Sequence, residues 1–305
     1  MGDIADDAFD QVLFEMMDED FGYMQEGENM VTVTANNKSK PATPEQDSPG
    51  TNFGKTPLKS RQRKFDLKFL LTGNSGSGKT HFTATYTKGP IHYYQFDKGG
   101  EKTVEKLMGN RTDITIDDFS SSKIAFSDFW KQFQMDGKNQ FFEHLAENSG
   151  LLVLDSLTNA NQKAITEICK KSGITPSGIG KKLDMKLGMA RPHWGQLLNW
   201  MTTLVTALQE LPCAVAVTVH LHVLMNSDQE VVARYPAVNG QFRQLLSADF
   251  DEAYLLTTQG IKRMIYFTEK LSFEAKSRAF SMAHATGITL DQLVDAYLNR
   301  KTEIK

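Results

Sequence analysis

The sequence predicts an α/β fold in which helices flank a mostly parallel, twisted sheet. Short apolar runs alternate with longer stretches of helical periodicity, as in proteins whose parallel strands are joined by crossover helices. A glycine-rich turn, residues 73–78, separates the first apolar run from the first helical stretch. A later run, Leu151–Leu154, is apolar at every position, which is the pattern of a strand buried on both faces.

The predicted elements follow one another in a regular order from about residue 65. The strands are Leu67–Thr72, Ile91–Phe96, Ile114–Ile116, Leu151–Leu154 and Ala214–Val219. The helices are Thr80–Lys88, Phe126–Glu147, Trp194–Gln209 and Leu290–Asn299. Two late strands, Glu252–Leu256 and Arg263–Phe267, are typical of a more antiparallel edge.

Composition divides the chain into three parts. Residues 1–30 contain ten acidic residues and no Lys or Arg, with apolar residues at helical spacing, and are predicted to be a mostly disordered acidic segment with a short amphipathic helix. Residues 31–63 are predicted to be a flexible linker, in which the β-branched stretch 31–35 is a candidate oligomerisation strand. Residues 64–305 are the predicted α/β domain.

The sequence argues against several classes of protein. No apolar run reaches the ~18 residues that a membrane helix needs, so we expect no membrane partner. The acidic N-terminus does not resemble a secretory signal, and two cysteines, Cys169 and Cys213, supply neither a disulfide framework nor a metal spacing. These features predict a cytoplasmic protein.

The clearest motif is a phosphate-binding loop between the first strand and the first helix. Its residues match the pattern G-x-x-x-x-G-K-[ST] and are Gly73, Asn74, Ser75, Gly76, Ser77, Gly78, Lys79 and Thr80, followed by His81. Glycines allow successive backbone N–H groups to face phosphate oxygens. Lys79 is suited to the β- and γ-phosphates and the Thr80 hydroxyl to Mg²⁺, so the loop predicts ATP and Mg²⁺ as ligands.

A second motif follows the apolar strand Leu151–Leu154. Asp155 stands at its carboxyl end, at the edge of the sheet where ligands bind in open α/β folds. A carboxylate at this place, paired with an upstream phosphate loop, predicts a second Mg²⁺ contact.

Together, Gly73–Thr80 and Asp155-Ser156 resemble RecA-type P-loop ATPases. The order of the motifs, and short stretches such as 250–252, resemble phage-encoded RecA/RadA-like ATPases of the Sak single-strand annealing group over roughly residues 65–280. This resemblance implies a RecA-like core and, for a phage protein, the host cytoplasm.

The resemblance also implies catalytic roles. Asp97 follows the second strand, where the family places the acid that activates water, although the usual residue is Glu and Glu101 is a rival. His220 ends a core strand at the position of the γ-phosphate sensor, and histidine can donate to a phosphate oxygen. Lys276 and Arg278 resemble the element that reaches a neighbouring subunit's nucleotide, which implies a ring or filament.

A basic, glycine-containing stretch occupies the place of the first DNA loop in RecA-like proteins. The residues predicted to contact single-stranded DNA are Lys181, Lys182, Lys186 and Arg191, which would neutralise backbone phosphates. Leu224–Gly240 is a second candidate loop.

These features predict an oligomeric ATPase that binds single-stranded DNA and supports phage recombination or annealing. The acidic segment 1–30 is a candidate contact for a replication or single-strand-binding protein. The alternatives are a ring motor of the helicase or packaging type, a nucleotide kinase, which would need an Arg-rich lid, and a nucleotide-gated scaffold.

Overall fold

The computed structural model describes residues 66–305 except 109–110, 175–188, 228, 240, 251, 261, 269–272, 274, 300, 302 and 305. The predicted acidic segment, linker and oligomerisation strand lie outside these residues. Along the described chain, no helix combines the length and the apolar character required to cross a bilayer.

Strands and helices alternate along the described chain, which contains nine strands and eight helices. The strands are β1 (Lys68–Gly73), β2 (Ile91–Gln95), β3 (Ile114–Asp118), β4 (Leu151–Asp155), β5 (Ala214–Met225), β6 (Val231–Pro236), β7 (Glu252–Gln259), β8 (Lys262–Tyr266) and β9 (His284–Thr286). The helices are α1 (Lys79–Ala84), α2 (Gly100–Met108), α3 (Phe126–Lys138), α4 (Phe141–Glu147), α5 (Leu157–Lys171), α6 (Arg191–Glu210), α7 (Phe242–Asp249) and α8 (Leu290–Leu298).

One sheet joins these strands in the order β3-β2-β4-β5-β1-β7-β8-β9, and β6 pairs with β5 outside this path. Neighbouring strands from β3 to β7 are parallel, whereas β8 and β9 are antiparallel. The prediction of a mostly parallel sheet with an antiparallel edge is therefore confirmed. Because β5 lies between β1 and β4, the carboxyl ends of all three strands open on one edge of the sheet.

The buried strands explain why their sequences are apolar throughout. Every residue of β1, β2 and β4 is buried, since helices cover both faces of the sheet. Alternate residues of β1 join different clusters. Leu70 packs with the apolar residues of α3–α7, whereas Phe69 and Leu71 pack with those of α1, α2 and α8.

Helix ends differ from the predictions for local reasons. The helix predicted as Thr80–Lys88 ends at Ala84, because the Thr85 hydroxyl donates to the Phe82 carbonyl (2.6 Å) and accepts from the Leu290 N–H (2.8 Å). The single helix predicted from Phe126 to Glu147 is two helices, α3 and α4. Gln140 has a φ of 58°, which is incompatible with a continuing α-helix.

The strand predicted as Ala214–Val219 is twice as long. It continues to Met225 and pairs with β6, so much of the predicted loop Leu224–Gly240 is a β-hairpin. The hairpin keeps its backbone groups paired after the strand leaves the sheet. The elements α2, α5, β6, α7 and β9 were not among the predicted ones.

Candidate functional site

The phosphate loop connects β1 to α1 at the edge where the parallel strands end. Gly78 has a φ of 92°, a left-handed conformation that side chains disfavour. At Gly73 a Cβ atom would lie 2.5 Å from both the Leu256 carbonyl oxygen and Ser77 Oγ, so a larger residue does not fit. The glycines of the motif are thus required by backbone conformation and by close packing.

Lys79 lies inside this loop and is 6% exposed. Its Nζ donates to the Gly73 carbonyl (2.7 Å) and to the Asn74 carbonyl (3.1 Å). Burial lowers the pKa of Lys79, and the nearby carboxylates of Asp155 and Asp97 oppose that shift. The ammonium group is held among neutral oxygens at the position where the motif requires a phosphate contact.

Asp155 ends β4 and is 1% exposed. Its carboxylate accepts hydrogen bonds from Thr80 Oγ1 (2.7 Å), from the Thr218 hydroxyl of β5 and from Gln95 Nε2 of β2 (3.5 Å). The peptide bond between Asp155 and Ser156 is cis. The carboxylate thus joins the phosphate loop to the two strands that flank β4.

The same contacts fit a magnesium ion. Mg²⁺ prefers hard oxygen ligands, and it is usually held by one or two protein groups together with water and substrate phosphates. The Thr80 hydroxyl and the Asp155 carboxylate are two such groups at neighbouring positions. These residues could therefore hold Mg²⁺ beside a nucleotide bound in the loop.

Asp97, which follows the end of β2, faces His220 of β5. His220 does not end its strand as predicted; it stands in the middle of β5, opposite Gly73 at the end of β1. His220 Nε2 lies 3.7 Å from Asp97 Oδ2, and Asp97 is partly exposed. The facing His220 imidazole is the main cause of a lowered pKa at the Asp97 carboxyl, and Lys79 adds to it, whereas burial opposes it. The backbone N–H of Asp97 donates to the Asp155 carbonyl (3.2 Å), so the acid is tied to the end of β4.

Asp97 and His220 therefore lie together at the edge of the sheet where the parallel strands open. An ionised carboxylate can accept a proton from water, and an imidazole N–H can donate to a phosphate oxygen. Whether Asp97 activates water stays a prediction. The side chain of Glu101, its rival, lies outside those described, although its backbone belongs to α2.

Arg263 also belongs to this site, and the sequence analysis missed it. Its Nη1 lies 3.2 Å from His81 Nδ1, and a Cβ atom at Gly78 would lie 2.5 Å from its Nε. Burial lowers the pKa of His81, and the Arg263 charge lowers it further. The guanidinium lies against the phosphate loop because β8 is the second strand from β1, a placement without any sequence signal.

Thr218 and Gln95 were missed as well. Each stands on a strand beside β4 and donates to the Asp155 carboxylate. The available signal was a polar residue within an apolar run, such as Thr218 in the predicted strand Ala214–Val219.

The predicted trans residues follow β8. Lys276 forms a single antiparallel bridge with Ala253, and its Nζ donates to the Ala248 carbonyl (3.0 Å). The backbone N–H of Arg278 donates to Glu252 (2.9 Å), and its side chain is exposed. The two residues thus flank the first residues of β7, and their role in a neighbouring site remains a prediction.

The predicted DNA-contacting residues are only partly described. Lys181, Lys182 and Lys186 lie outside the described residues, whereas Arg191 is the first residue of α6 and is exposed.

A cavity of about 440 Å³ lies beside Asp97, between the end of β2, the residues after β3 and α5. Lys98, Lys123, Lys163 and Lys170 line it. Lys163 Nζ is held by the carbonyls of Ser121 (2.6 Å) and Ile124 (3.0 Å). Burial lowers the pKa of Lys163, the Asp118 carboxylate opposes that shift, and the charges of Lys98 and Lys170 add to it. The name lysine cavity is used below for this feature.

Comparison with known proteins gives one family match. The family AAA_24, described as an AAA domain, matches residues 66–279, which is more than half of the chain. The comparison with curated proteins found no match.

Several solved structures are similar at low identity. A KaiC-like protein from Pyrococcus horikoshii has a TM-score of 0.41 at 14% identity and covers 74% of this chain and 93% of its own. The RadB recombinase has a TM-score of 0.40 at 14% identity, and the match covers 72% of this chain and 86% of the recombinase. A third structure is the type III secretion ATPase EscN of enteropathogenic E. coli in complex with its central stalk EscO. It has a TM-score of 0.39 at 12% identity, and the match covers 63% of this chain and 42% of the EscN chain.

Proposed function

The chain belongs to the AAA_24 family of AAA domains, and from this membership we propose that it binds ATP with Mg²⁺ and hydrolyses it in the course of acting on single-stranded DNA. The observation that carries the nucleotide part is the hydrogen bond between Thr80 Oγ1 and Asp155 Oδ2, at 2.7 Å. It unites the two motifs of a P-loop ATPase across 75 positions of sequence, with Lys79 buried in the loop.

The chemistry follows from the residues around this bond. Lys79 and the loop N–H groups bind the phosphates, and Thr80 and Asp155 hold the Mg²⁺ that offsets their charge. Asp97 accepts a proton from the attacking water, and His220 donates to a phosphate oxygen.

The lysine cavity supports the DNA part of the proposal. Four lysines line this cavity, and the charges of Lys98 and Lys170 lower the pKa of Lys163, an effect that the Asp118 carboxylate opposes. A concentration of positive charge favours the binding of anions. A nucleic-acid backbone supplies such anions at regular intervals. Lys170 stands in the last turn of α5, shortly before the basic stretch that contains Lys181. We propose that a single strand follows this surface, and that an oligomer of the protein serves phage recombination or annealing.

ATP hydrolysis, measured with and without single-stranded DNA at low and moderate salt, tests the proposal. The wild-type protein is expected to turn over ATP faster with DNA, and this stimulation is expected to fade as salt rises. Lys79→Ala is expected to abolish turnover in every condition. Turnover that DNA does not change would contradict the DNA part and favour a kinase or a motor with another partner, and no turnover at all would favour a scaffold.

Binding of a fluorescent single-stranded DNA tests whether the lysine cavity contacts the DNA backbone. Lys123→Gln combined with Lys170→Gln removes two charges, so the slope of log K against log[salt] is expected to become less steep by ~1.4, at ~0.7 per lost phosphate contact. The matched control combines Lys131→Gln with Lys138→Gln on α3, outside the cavity lining, and should keep the wild-type slope. Equal salt slopes for both double variants would contradict a role of the lysine cavity in DNA binding.

A further inference from the structure

Three side chains that can bind a metal ion meet between β2, β3 and α3. They are His92, Asp117 and Asp136, and one ligand atom from each lies within 4.8 Å of the others. None of them lines the nucleotide site or the lysine cavity. The cluster therefore has no role in the chemistry described above.

His92 is the central member, and its side chain is held in one orientation. It is 5% exposed, with its ring packed edge-on against Tyr94 (4.7 Å between centroids) and Phe141 (4.8 Å). Nδ1 lies 2.8 Å from Thr115 Oγ1. Within the described part of the chain, the buried Nε2 atom has no hydrogen-bond partner. If Nδ1 carries the proton and donates it to Thr115, Nε2 presents its lone pair to the two carboxylates.

The distances agree with those of a metal site. His92 Nε2 lies 3.5 Å from Asp117 Oδ2, which is long for a hydrogen bond. Two ligands each at about 2.1 Å from a tetrahedral Zn²⁺ lie about 3.4 Å from one another. The pair is thus spaced as two ligands of one ion, and the Asp136 carboxylate needs to approach by up to about 1.4 Å to complete the set.

The third ligand is oriented by its own neighbours. Asp136 accepts a hydrogen bond from the Tyr94 hydroxyl and another from Gln132 Nε2 (2.8 Å). Ligating carboxylates are commonly held by such outer hydrogen bonds.

We propose that His92, Asp117 and Asp136 bind a divalent transition-metal ion, with Zn²⁺ as the best-matched ion and water in the fourth position. One imidazole with two carboxylates suits Zn²⁺, whereas Mg²⁺ prefers an all-oxygen set. The ion joins β3, which ends the described sheet, to the helix α3 that covers it. Because the three ligands converge only in the folded chain, bound metal stabilises the fold by mass action.

Zinc binding by the full-length protein tests this site. The protein is first treated with a chelator and then dialysed against Zn²⁺ in the presence of excess Mg²⁺, which keeps the Thr80–Asp155 site supplied with its own ion. The wild-type protein is expected to retain one Zn²⁺ per chain and to unfold at a higher temperature with zinc than without it. A wild-type protein that retains no zinc overturns the proposal.

Matched variants identify the ligands. Asp117→Asn, at a side chain that is 40% exposed, is expected to fold and to lower the zinc affinity by ~100-fold or more, beyond the 10–100-fold that loss of an outer-shell partner costs. Glu147→Gln, at an exposed carboxylate of α4, should bind zinc as the wild type does. Asp155→Asn should also retain zinc, which separates this site from the nucleotide site. Equal affinity in Asp117→Asn and the wild type would rule out the assignment, and loss of zinc in Asp155→Asn would place the ion in the nucleotide site instead.

Discussion

At the scale of single residues, the proposed hydrolysis depends on which carboxylate accepts the proton of the attacking water. Asp97 lies 3.7 Å from His220 and is tied through its backbone N–H to the end of β4. Because the facing imidazole lowers its pKa, the Asp97 carboxyl is ionised throughout the neutral range. Glu101, the second residue of α2, follows four residues later, and its side chain lies outside those described.

The first residue-scale prediction separates these two acids. Asp97→Asn is expected to lower kcat by ~10²–10⁴-fold with little change in KM, because a general base acts in the transition state. Glu101→Gln is expected to keep kcat within about twofold of the wild type. Steady-state ATPase assays check both variants, and the reverse pattern would assign the base to Glu101.

The same lowered pKa gives a prediction about stability. A carboxyl whose pKa is lower in the folded than in the unfolded protein stabilises the fold above its unfolded pKa and loses that effect as the pH falls through the folded value. The Tm of the wild type is therefore expected to exceed that of Asp97→Asn by the largest margin at neutral pH, and this margin should shrink below about pH 4. Thermal unfolding of both proteins across pH checks this, and a difference independent of pH would argue against the His220 contact.

At the scale of elements, the β7–β8 hairpin brings a cation to the phosphate loop. The hairpin pairs Thr258 with Arg263, and β7 lies beside β1, which leads into the loop. Arg263 therefore reaches Gly78 and His81, although about 180 residues separate them in sequence. A guanidinium at this position can bind a phosphate in two hydrogen bonds.

Removal of this cation is expected to weaken nucleotide binding. Arg263→Ala should raise the Kd for ATP by about 10- to 100-fold, since a hydrogen bond to a charged group contributes ~1.5–3 kcal/mol. Lys262→Ala is the control, because neighbouring residues of a strand point to opposite faces and Lys262 is also exposed. Calorimetric titration with ATP checks both, and equal losses would indicate a general charge effect.

At the scale of the whole molecule, the proposed role of Arg278 requires a second copy of the chain to complete the site. Lys276 is bound to the Ala248 carbonyl, whereas the Arg278 side chain is exposed beside the start of β7. In the register of the sheet, Glu252 lies opposite Phe69, whereas the phosphate loop follows Gly73 at the other end of β1. Arg278 therefore lies near the opposite end of the parallel strands from the nucleotide loop of the same chain, which agrees with the proposed action on a neighbouring copy.

A mixing experiment tests action between subunits. Arg278→Ala is expected to lower kcat by about 10³-fold, the lower end of the range for an arginine finger, and Lys79→Ala is expected to be inactive. When the two variants are mixed equally, about one quarter of the interfaces pair an intact loop with an intact arginine. The ATPase activity of the mixture should therefore rise to about one quarter of the wild-type value. A mixture no more active than its separate components would contradict the role in trans.

By itself, the sequence determined the α/β class, the phosphate loop and the acid that ends β4. Each of these is local, because an apolar strand, a glycine turn and a terminal carboxylate follow from the backbone conformations that a few consecutive residues prefer. Helix ends were less predictable, since the end of α1 depends on Leu290, a residue of another element.

The tertiary structure alone decided which distant residues meet. Asp155 acquired Thr218 and Gln95 as partners, the phosphate loop acquired Arg263, and His92 acquired Asp117 and Asp136. These contacts follow from strand order and register, which arise when all the strands bury their apolar faces together. No short stretch of sequence encodes that order, because the burial that stabilises it is shared among many residues far apart in the chain.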